Sequence, residues 1–236
     1  MSSSQRWSES PRLSYDVLLE IIQYLDPIHD IDALRSLSTT CHALCVPCQR
    51  RLLSSITIWK PPVKHSSVPH GHCFLKSPHL ASYIKHLDYK FNFGDENFLE
   101  TVLIMLPVDT IEVLKISTHS RIEYHSCGRV LTRERIRIFR SSSLRRLQLH
   151  GLTGIPRFTT DIPSLTTLFV ETVPLKEIGE DIQPVTLGLK SLTVAWRFKY
   201  VSYQLKSVLK CSPLLQNIRC YGNYPVLIND AGIMVT

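Results

Sequence analysis

The stretch Leu144–Leu149 has the sequence LRRLQL. Two residues separate its first leucine from its second, and one residue separates its second from its third. The same spacing of mainly aliphatic residues recurs from about Ser77 onward. It is found at Ile84/Leu87/Tyr89, Ile111/Leu114/Ile116, Leu144/Leu147/Leu149, Leu165/Leu168/Val170, Leu189/Leu192/Val194 and Leu215/Ile218/Cys220. The middle residues, at positions 87, 114, 147, 168, 192 and 218, follow one another at steps of 27, 33, 21, 24 and 26 residues. The chain therefore contains an internal repeat.

Each motif suits one short strand whose alternate residues point into a core. Between the first two motifs lies an apolar stripe at helical spacing, which predicts a helix on the other side of that core: Phe98, Leu99, Val102, Leu103 and Leu106. No single repeat can bury its own apolar face, so neighbouring repeats must stack. A sandwich would need strands every 8–12 residues. The spacing therefore predicts an α/β repeat with a parallel sheet.

These repeats resemble irregular leucine-rich repeats, which have a period of about 20–29 residues around an L-x-x-L-x-L core. The long step between Leu114 and Leu147 predicts an insertion around Ser120–Gly128. The resemblance implies a solenoid over residues 77–236. The last motif is followed by an apolar tail, although a terminal repeat normally has a polar outer face. We therefore expect an open edge and a chain truncated at its C-terminus.

The N-terminal stretch Leu13–Leu44, LSYDVLLEIIQYLDPIHDIDALRSLSTTCHAL, predicts three short amphipathic helices. The first carries one broad apolar stripe, formed by Val17, Leu18, Ile21, Ile22 and Leu25. Pro27 should end it, because proline lacks an N–H and disfavours a helical residue before it. Asp30 can cap the second helix, and Ser38 and Thr39 lie where a third would begin. A unit this small tends to find stability in a partner.

This stretch resembles the F-box, a three-helix module that docks onto a Skp-family adaptor. The matching positions are Leu13, Asp16, Val17, Leu18, Ile21, Ile22, Leu25, Asp30, Ile31, Leu34, Leu37 and Ser38. Ser14 stands where the family usually has proline, and its hydroxyl still suits a helix start. The resemblance implies that the apolar helix residues bind the adaptor, namely Leu13, Leu18, Ile21, Ile22, Leu25, Ile31, Leu34 and Leu37.

The chain divides into four predicted segments. Residues 1–9 are polar and expected to be disordered, and residues 10–55 form the F-box-like module. A linker covers 56–76, where Pro61, Pro62 and Pro69 interrupt regular structure. The leucine-rich-repeat-like domain covers 77–236. The expected architecture is thus an α+β or α/β repeat protein with three N-terminal helices.

The composition of the chain indicates in which cellular compartment the protein is expected. The 236 residues carry a net charge of +7 and seven cysteines, an odd number that does not indicate a secreted disulfide framework. The N-terminus lacks an apolar signal region, and no run approaches the roughly 18 apolar residues of a membrane span. These features predict a protein of the cytoplasm, the nucleus or both, with no membrane association.

Two cysteine or histidine clusters could carry metal chemistry. Cys41-x-x-x-Cys45-x-x-Cys48 has the spacing of the iron–sulfur site in radical enzymes that use S-adenosylmethionine. The same cysteines fall on the apolar face of the third helix, where buried thiols act as small hydrophobic groups. His70, His72 and Cys73 could bind zinc but have no second ligand pair nearby. We therefore predict no metal, no cofactor and, without any nucleophile or phosphate-binding motif, no enzyme.

The densest basic cluster consists of Arg133, Arg135, Arg137, Arg140, Arg145 and Arg146. Guanidinium groups suit carboxylates and phosphates, so Arg133, Arg137, Arg140, Arg145 and Arg146 form a candidate patch for a substrate or acidic partner. The alternative is the solvated side of an amphipathic helix.

Together the two resemblances imply a substrate receptor of an SCF-type ubiquitin ligase. The F-box would bind the Skp-family adaptor, and through it the cullin and RING subunits, while the repeats would hold a target protein. A second hypothesis is a non-catalytic repeat scaffold with a degenerate F-box, whose basic face contacts nucleic acid. Nucleic acid is the less favoured partner, because charge at this level does not specify it.

Overall fold

The computed structural model describes residues 13–59, 77–91, 102–104, 106–107, 109–118, 141–153, 162–173, 188–196 and 212–222. The chain divides into two compact units, one ending at Ser54 and the other beginning at Ser55. We refer to them as the helical unit and the sheet unit. None of the helices within the described residues has the length and apolar content needed to cross a membrane.

The helical unit contains α1 (Tyr15–Tyr24), α2 (Ile31–Thr40) and α3 (His42–Leu52). Ser14 is the N-cap of α1, as predicted, and its hydroxyl accepts a hydrogen bond from the N–H of Val17 at 3.4 Å. Asp30 occupies the N-cap position of α2 but does not cap that helix. Its carboxylate instead accepts a hydrogen bond from the N–H of Asp26 at 2.7 Å, so it closes the turn before α2.

The predicted start of the third helix at Ser38 and Thr39 is wrong. Both residues belong to the last turn of α2, and Cys41 separates α2 from α3. The hydroxyl of Ser38 donates to the carbonyl of Arg35 at 2.6 Å, and that of Thr39 donates to the carbonyl of Ser36 at 2.9 Å. Hydroxyl groups that bond to preceding helical carbonyls are compatible with a helix interior, so these residues do not mark a cap here.

The core of the helical unit is small. It contains Ile22, Leu34, Leu44 and Cys48, and Leu18, Leu25, Leu37 and Leu52 pack against it. The side-chain Nε of Arg51 donates to the carbonyl of Leu25 at 2.6 Å and so ties the end of α1 to α3. A few apolar side chains and long-range hydrogen bonds such as this one therefore hold the short helices together.

The sheet unit contains one seven-stranded sheet in which all strands are parallel and follow chain order. The predicted parallel sheet is therefore confirmed. A short helix, α4 (Pro78–Ala81), lies between the first two strands in sequence. The strands are β1 (Ser55–Trp59), β2 (His86–Phe91), β3 (Val113–Thr118), β4 (Arg146–Thr153), β5 (Thr167–Val173), β6 (Ser191–Trp196) and β7 (Asn217–Gly222).

The six sequence motifs coincide with β2–β7, and their residues lie in register. The middle residues form one row across the sheet, from Leu87 through Leu114, Leu147, Leu168 and Leu192 to Ile218. The final residues form a second row two positions further on. In β2–β6 all residues of both rows are at most 1% exposed. Because both rows are buried, the residues at these positions of the motif must have apolar side chains.

A backbone hydrogen-bond pattern repeats at the entry to each strand from β3 to β7. The carbonyl of Lys85 accepts from the N–H groups of Glu112 and Val113 at 2.8 and 3.0 Å. Equivalent pairs of bonds follow at the carbonyls of Glu112, Arg145, Thr166 and Lys190. The hydroxyl of Ser164 adds bonds to the carbonyls of Ser141 and Leu144 at 2.7 and 2.9 Å. Successive repeats are thus joined by the same contacts, whatever the length of chain between them.

Strand β1 corrects the predicted linker over residues 56–76. Residues 56–59 lie in the sheet, where Ile56 pairs with Leu87 and Ile58 pairs with Tyr89. Leu53, Ile56 and Ile58 have the spacing of a seventh motif. This motif lies between a helix and two prolines, so the sequence alone does not indicate that it belongs to the repeat.

Other predictions fall partly or wholly outside the described residues. Of the expected helix between the first two motifs, residues 102–104 are helical, and Val102, Leu103 and Leu106 are buried. Phe98, Leu99, the insertion at 120–128, the N-terminal residues 1–9, the rest of the linker and the apolar tail lie outside the described residues.

Candidate functional site

Helix α1 carries two apolar stripes rather than the single broad one read from the sequence. Leu18, Ile22 and Leu25 recur at helical spacing and point into the core of the helical unit. Val17, Ile21 and Tyr24 form the second stripe, which is offset by one residue. The core therefore uses only one of the two stripes.

The second stripe is exposed. Together with Leu13 just before the helix it forms a surface that we call the outer stripe: Leu13, Val17, Ile21 and Tyr24. Their exposed fractions are 61%, 41%, 39% and 81%, whereas Ile22 on the inner stripe is 3% exposed. These four side chains therefore place apolar groups next to one another on the surface of α1.

Three further apolar side chains of the helical unit are exposed: Tyr15, Ile28 and Val46. The hydroxyl of Tyr15 donates to the carbonyl of Ala43 at 3.3 Å, which fixes the start of α1 against the start of α3. Among the described residues of this unit, four apolar side chains are buried, four leucines are partly buried against them, and seven large apolar side chains are exposed.

The predicted adaptor-binding residues fall into three groups. Leu13 and Ile21 are exposed, whereas Leu18, Leu25, Ile31 and Leu37 are half-buried. Ile22 and Leu34 lie in the core of the unit at 3% and 0% exposure. Ile22 and Leu34 therefore cannot contact a partner without rearrangement of the helices, whereas the other six residues have surface in contact with solvent.

The loop between α1 and α2 is held by Asp26. Its carboxylate accepts hydrogen bonds from the N–H groups of Ile28 and His29 at 2.7 and 2.9 Å. Both bonds favour the ionised carboxylate, and the bond from His29 has the larger effect. They therefore lower the pKa of Asp26 below its usual value. The loop therefore presents Ile28 from an ordered turn.

The predicted arginine patch is only partly described. Arg145 and Arg146 lie at the start of β4, and both side chains are exposed. Neither makes an ion pair with any described residue, although a guanidinium nitrogen of Arg145 donates to the carbonyl of Ser164 at 3.4 Å. Arg133, Arg137 and Arg140 lie outside the described residues.

The exposed face of the sheet adds charged residues that the sequence reading did not single out. The carboxylate of Asp88 on β2 lies 3.7 Å from the ammonium of Lys90 and 3.3 Å from that of Lys115 on β3. Lys85 and Glu112 form a further pair at 3.0 Å at the entry to these strands. Asp88 is thus one carboxylate shared by two lysines, which leaves this part of the face positively charged.

His150 on β4 lies next to these residues. Its Nδ1 is 3.2 Å from a carboxylate oxygen of Glu171 on β5, and its ring stacks on Phe169 with a centroid distance of 4.5 Å. The strand is irregular directly after His150, where the register shifts and Gly151 adopts a φ of 67°. Bulges of this kind redirect neighbouring side chains, so the bulge helps to set the position of His150 on the face.

Of the cysteine cluster, Cys41 is the N-cap of α3, and Cys45 and Cys48 lie within that helix. Cys41 is exposed at the helix start, Cys45 is half-buried, and Cys48 lies in the core. Burial, with a smaller effect of Cys45 and Cys41, raises the pKa of Cys48 and so disfavours the thiolate that a cluster needs. The described residues hold no group of three potential ligands arranged for a metal ion. His70, His72 and Cys73 lie outside them.

The sequence pattern indicates which strand residues lie on the exposed face of the sheet. In an L-x-x-L-x-L strand the variable positions point away from the core, so Lys90, Lys115 and His150 could have been assigned to the exposed face. The outer stripe had no such signal, because the apolar residues of both stripes adjoin in sequence.

No protein-family model matches the chain, and no curated protein shows significant similarity to it.

Proposed function

We propose that the chain is a substrate receptor of an SCF-type ubiquitin ligase, with the helical unit acting as an F-box. In this proposal the helical unit binds a Skp-family adaptor and the sheet unit, as a leucine-rich-repeat-like domain, binds a target protein. The chain performs no bond chemistry itself. It acts by raising the effective concentration of the target near the ubiquitin-carrying enzyme.

The observation that carries this proposal is the outer stripe of α1. The helical unit buries Ile22, Leu34, Leu44 and Cys48 and leaves Leu13, Val17, Ile21 and Tyr24 in solvent. A small helical unit with an unused apolar stripe gains stability when a partner covers that stripe. The resemblance of residues 13–38 to the F-box supplies the class of partner.

The sheet unit supports the second half of the proposal. Its strands are parallel, sequential and in register at the motif residues, with one recurring pair of hydrogen bonds at the entry to each strand from β3 to β7. Stacked repeats of this kind offer an extended exposed face on which a protein can be held. The resemblance to irregular leucine-rich repeats rests on the same motif.

Co-expression with a Skp-family adaptor tests the proposal. We expect the adaptor to co-purify with the full chain and then to recruit the cullin and RING subunits. The complex should persist at high salt, because apolar burial is not screened. An adaptor that does not co-purify would overturn the proposal. In that case, salt-sensitive binding to nucleic acid would favour the scaffold hypothesis, since counterion release makes such binding fall steeply with salt.

A further inference from the structure

The exposed face of the sheet has two halves of different chemistry. The basic half comprises the exposed positions of β2–β4, and the aromatic half comprises those of β5–β7. Within the basic half, Lys90, Lys115 and Arg146 outnumber the single carboxylate, Asp88. In the aromatic half only Glu171 and Arg219 carry charge, and the other exposed positions are Thr167, Phe169, Ser191, Thr193, Ala195, Asn217 and Tyr221.

The positive charge of the basic half is not neutralised within the described residues. The carboxylate of Asp88 forms ion pairs with both Lys90 and Lys115, and these two lysine side chains are 35% and 34% exposed. Arg146 is exposed and has no carboxylate partner among the described residues. Because Val113 pairs with Arg146 and is two residues before Lys115, the two cations are diagonal neighbours on adjacent strands. Their side chains can therefore reach one bound anionic segment.

The aromatic half offers a place for an uncharged side chain. The small side chains of Thr193 and Ala195 on β6 lie between Phe169 on β5 and Tyr221 on β7. Tyr221 is 55% exposed. Phe169 and Tyr221 thus lie on the same face as the basic half, with Arg219 opposite Thr193 and Glu171 opposite Ala195 in the register.

We propose that this face binds an extended acidic segment of a partner protein, with its carboxylates on the basic half and a following apolar side chain on the aromatic half. This inference rests on the proposed function, since the partner would be the protein presented for ubiquitin transfer. Adjacent strands lie about 4.8 Å apart, so the face from β2 to β7 spans roughly 24 Å, or about seven extended residues.

A polypeptide fits this face better than a nucleic acid does. A nucleic acid carries a phosphate at every nucleotide and requires cations along its whole path. Here Asp88, Glu112 and Glu171 are interspersed among the cations. This mixture of charges opposes a uniform polyanion.

The test uses the full chain and a fluorescent peptide of about eight residues in which several glutamates precede Leu-Phe. A second peptide has glutamine in place of every glutamate, and a third has lysine. We expect the acidic peptide to bind at least fivefold more tightly than the glutamine peptide in fluorescence anisotropy, with a difference that shrinks as salt is added.

Arg146→Glu is the principal variant, and Arg35→Glu is its control. Arg35 is exposed on α2, and among the described residues it forms a surface ion pair with Asp32 at 3.6 Å. Both changes replace one arginine by one glutamate, so they alter the net charge equally. Arg146→Glu should weaken the acidic peptide at least fivefold and strengthen the lysine peptide, whereas Arg35→Glu should change neither. Asp88→Asn should strengthen the acidic peptide, because it removes the carboxylate shared by Lys90 and Lys115.

Equal binding of the acidic and glutamine peptides, or no effect of Arg146→Glu, would overturn the inference. Tighter binding of a 20-nucleotide oligo-dT than of the acidic peptide would overturn it in favour of nucleic acid. Adaptor affinity is measured on the same samples. Loss of peptide binding with adaptor binding intact refutes only this inference, whereas absence of adaptor binding refutes the proposed function by itself.

Discussion

At the scale of single residues, Gly151 is fixed by the geometry of the bulge that follows His150. Its φ of 67° lies in the region that residues with a Cβ avoid. A Cβ at this position would meet Cγ2 of Thr118 at 2.9 Å and the carbonyl oxygen of Thr118 at 3.1 Å. Backbone strain and close approach to β3 therefore both require glycine.

Gly151→Ala should destabilise the sheet unit by about 1–3 kcal/mol, the cost of a residue forced into a disfavoured conformation. Chemical denaturation gives the change in the free energy of unfolding. Gly188→Ala is the matched control, because a Cβ there would meet its nearest atom, the carbonyl oxygen of Pro163, at 3.4 Å. If the two alanine variants lose the same stability, the bulge does not require glycine.

Asp26 makes the stability of the helical unit depend on pH. Its pKa is lowered in the folded chain by the N–H groups of His29 and Ile28, so the unfolded chain takes up the proton at a higher pH. The stabilisation is complete above the ordinary aspartate pKa of about 3.9 and is lost as pH falls through the lower folded value. Circular dichroism of Asp26→Asn, which lacks the charge, should show less acid sensitivity than the wild type. Identical acid profiles would contradict the assignment.

At the scale of elements, the sequence predicted β2–β7 because one apolar pattern recurs in each strand. The same pattern at Leu53, Ile56 and Ile58 does not predict a strand by itself, since it adjoins a helix and two prolines. The helical unit was harder to interpret. Val17, Leu18, Ile21, Ile22 and Leu25 are all apolar, so composition could not separate the inner from the outer stripe. That separation depends on how α1 packs against its neighbours, which is a tertiary property.

The buried rows should contribute unequally to stability along the sheet. Leu192 on β6 is fully buried, whereas its neighbour Ile218 on β7 is half-buried. Leu192→Ala should cost about 2–5 kcal/mol through lost burial and the cavity left behind. Ile218→Ala should cost markedly less, because part of its surface is already in water. Equal losses in urea denaturation would show that the β7 end is packed as tightly as the interior.

At the scale of the whole molecule, the chain combines a helical unit that leaves an apolar stripe exposed with a sheet unit that presents a charged and aromatic face. The first surface suits association through apolar burial, and the second suits selection by charge. The pattern of six motifs was sufficient to predict the parallel sheet. The same alternation also predicts which strand residues point outward, but it does not predict how those side chains pair across neighbouring strands.

The most direct test of the account is a calorimetric titration of the purified chain with a Skp-family adaptor. Val17→Glu/Ile21→Glu should weaken binding at least about a hundredfold, or ~2.7 kcal/mol, because charged groups would be desolvated in the interface. Both side chains are exposed, so the helical content should not change. Ile104→Glu/Leu214→Glu, which alters two exposed apolar residues of the sheet unit (53% and 56%), should bind like the wild type. Wild-type chain that does not bind the adaptor, or binding unaffected by Val17→Glu/Ile21→Glu, would contradict the account.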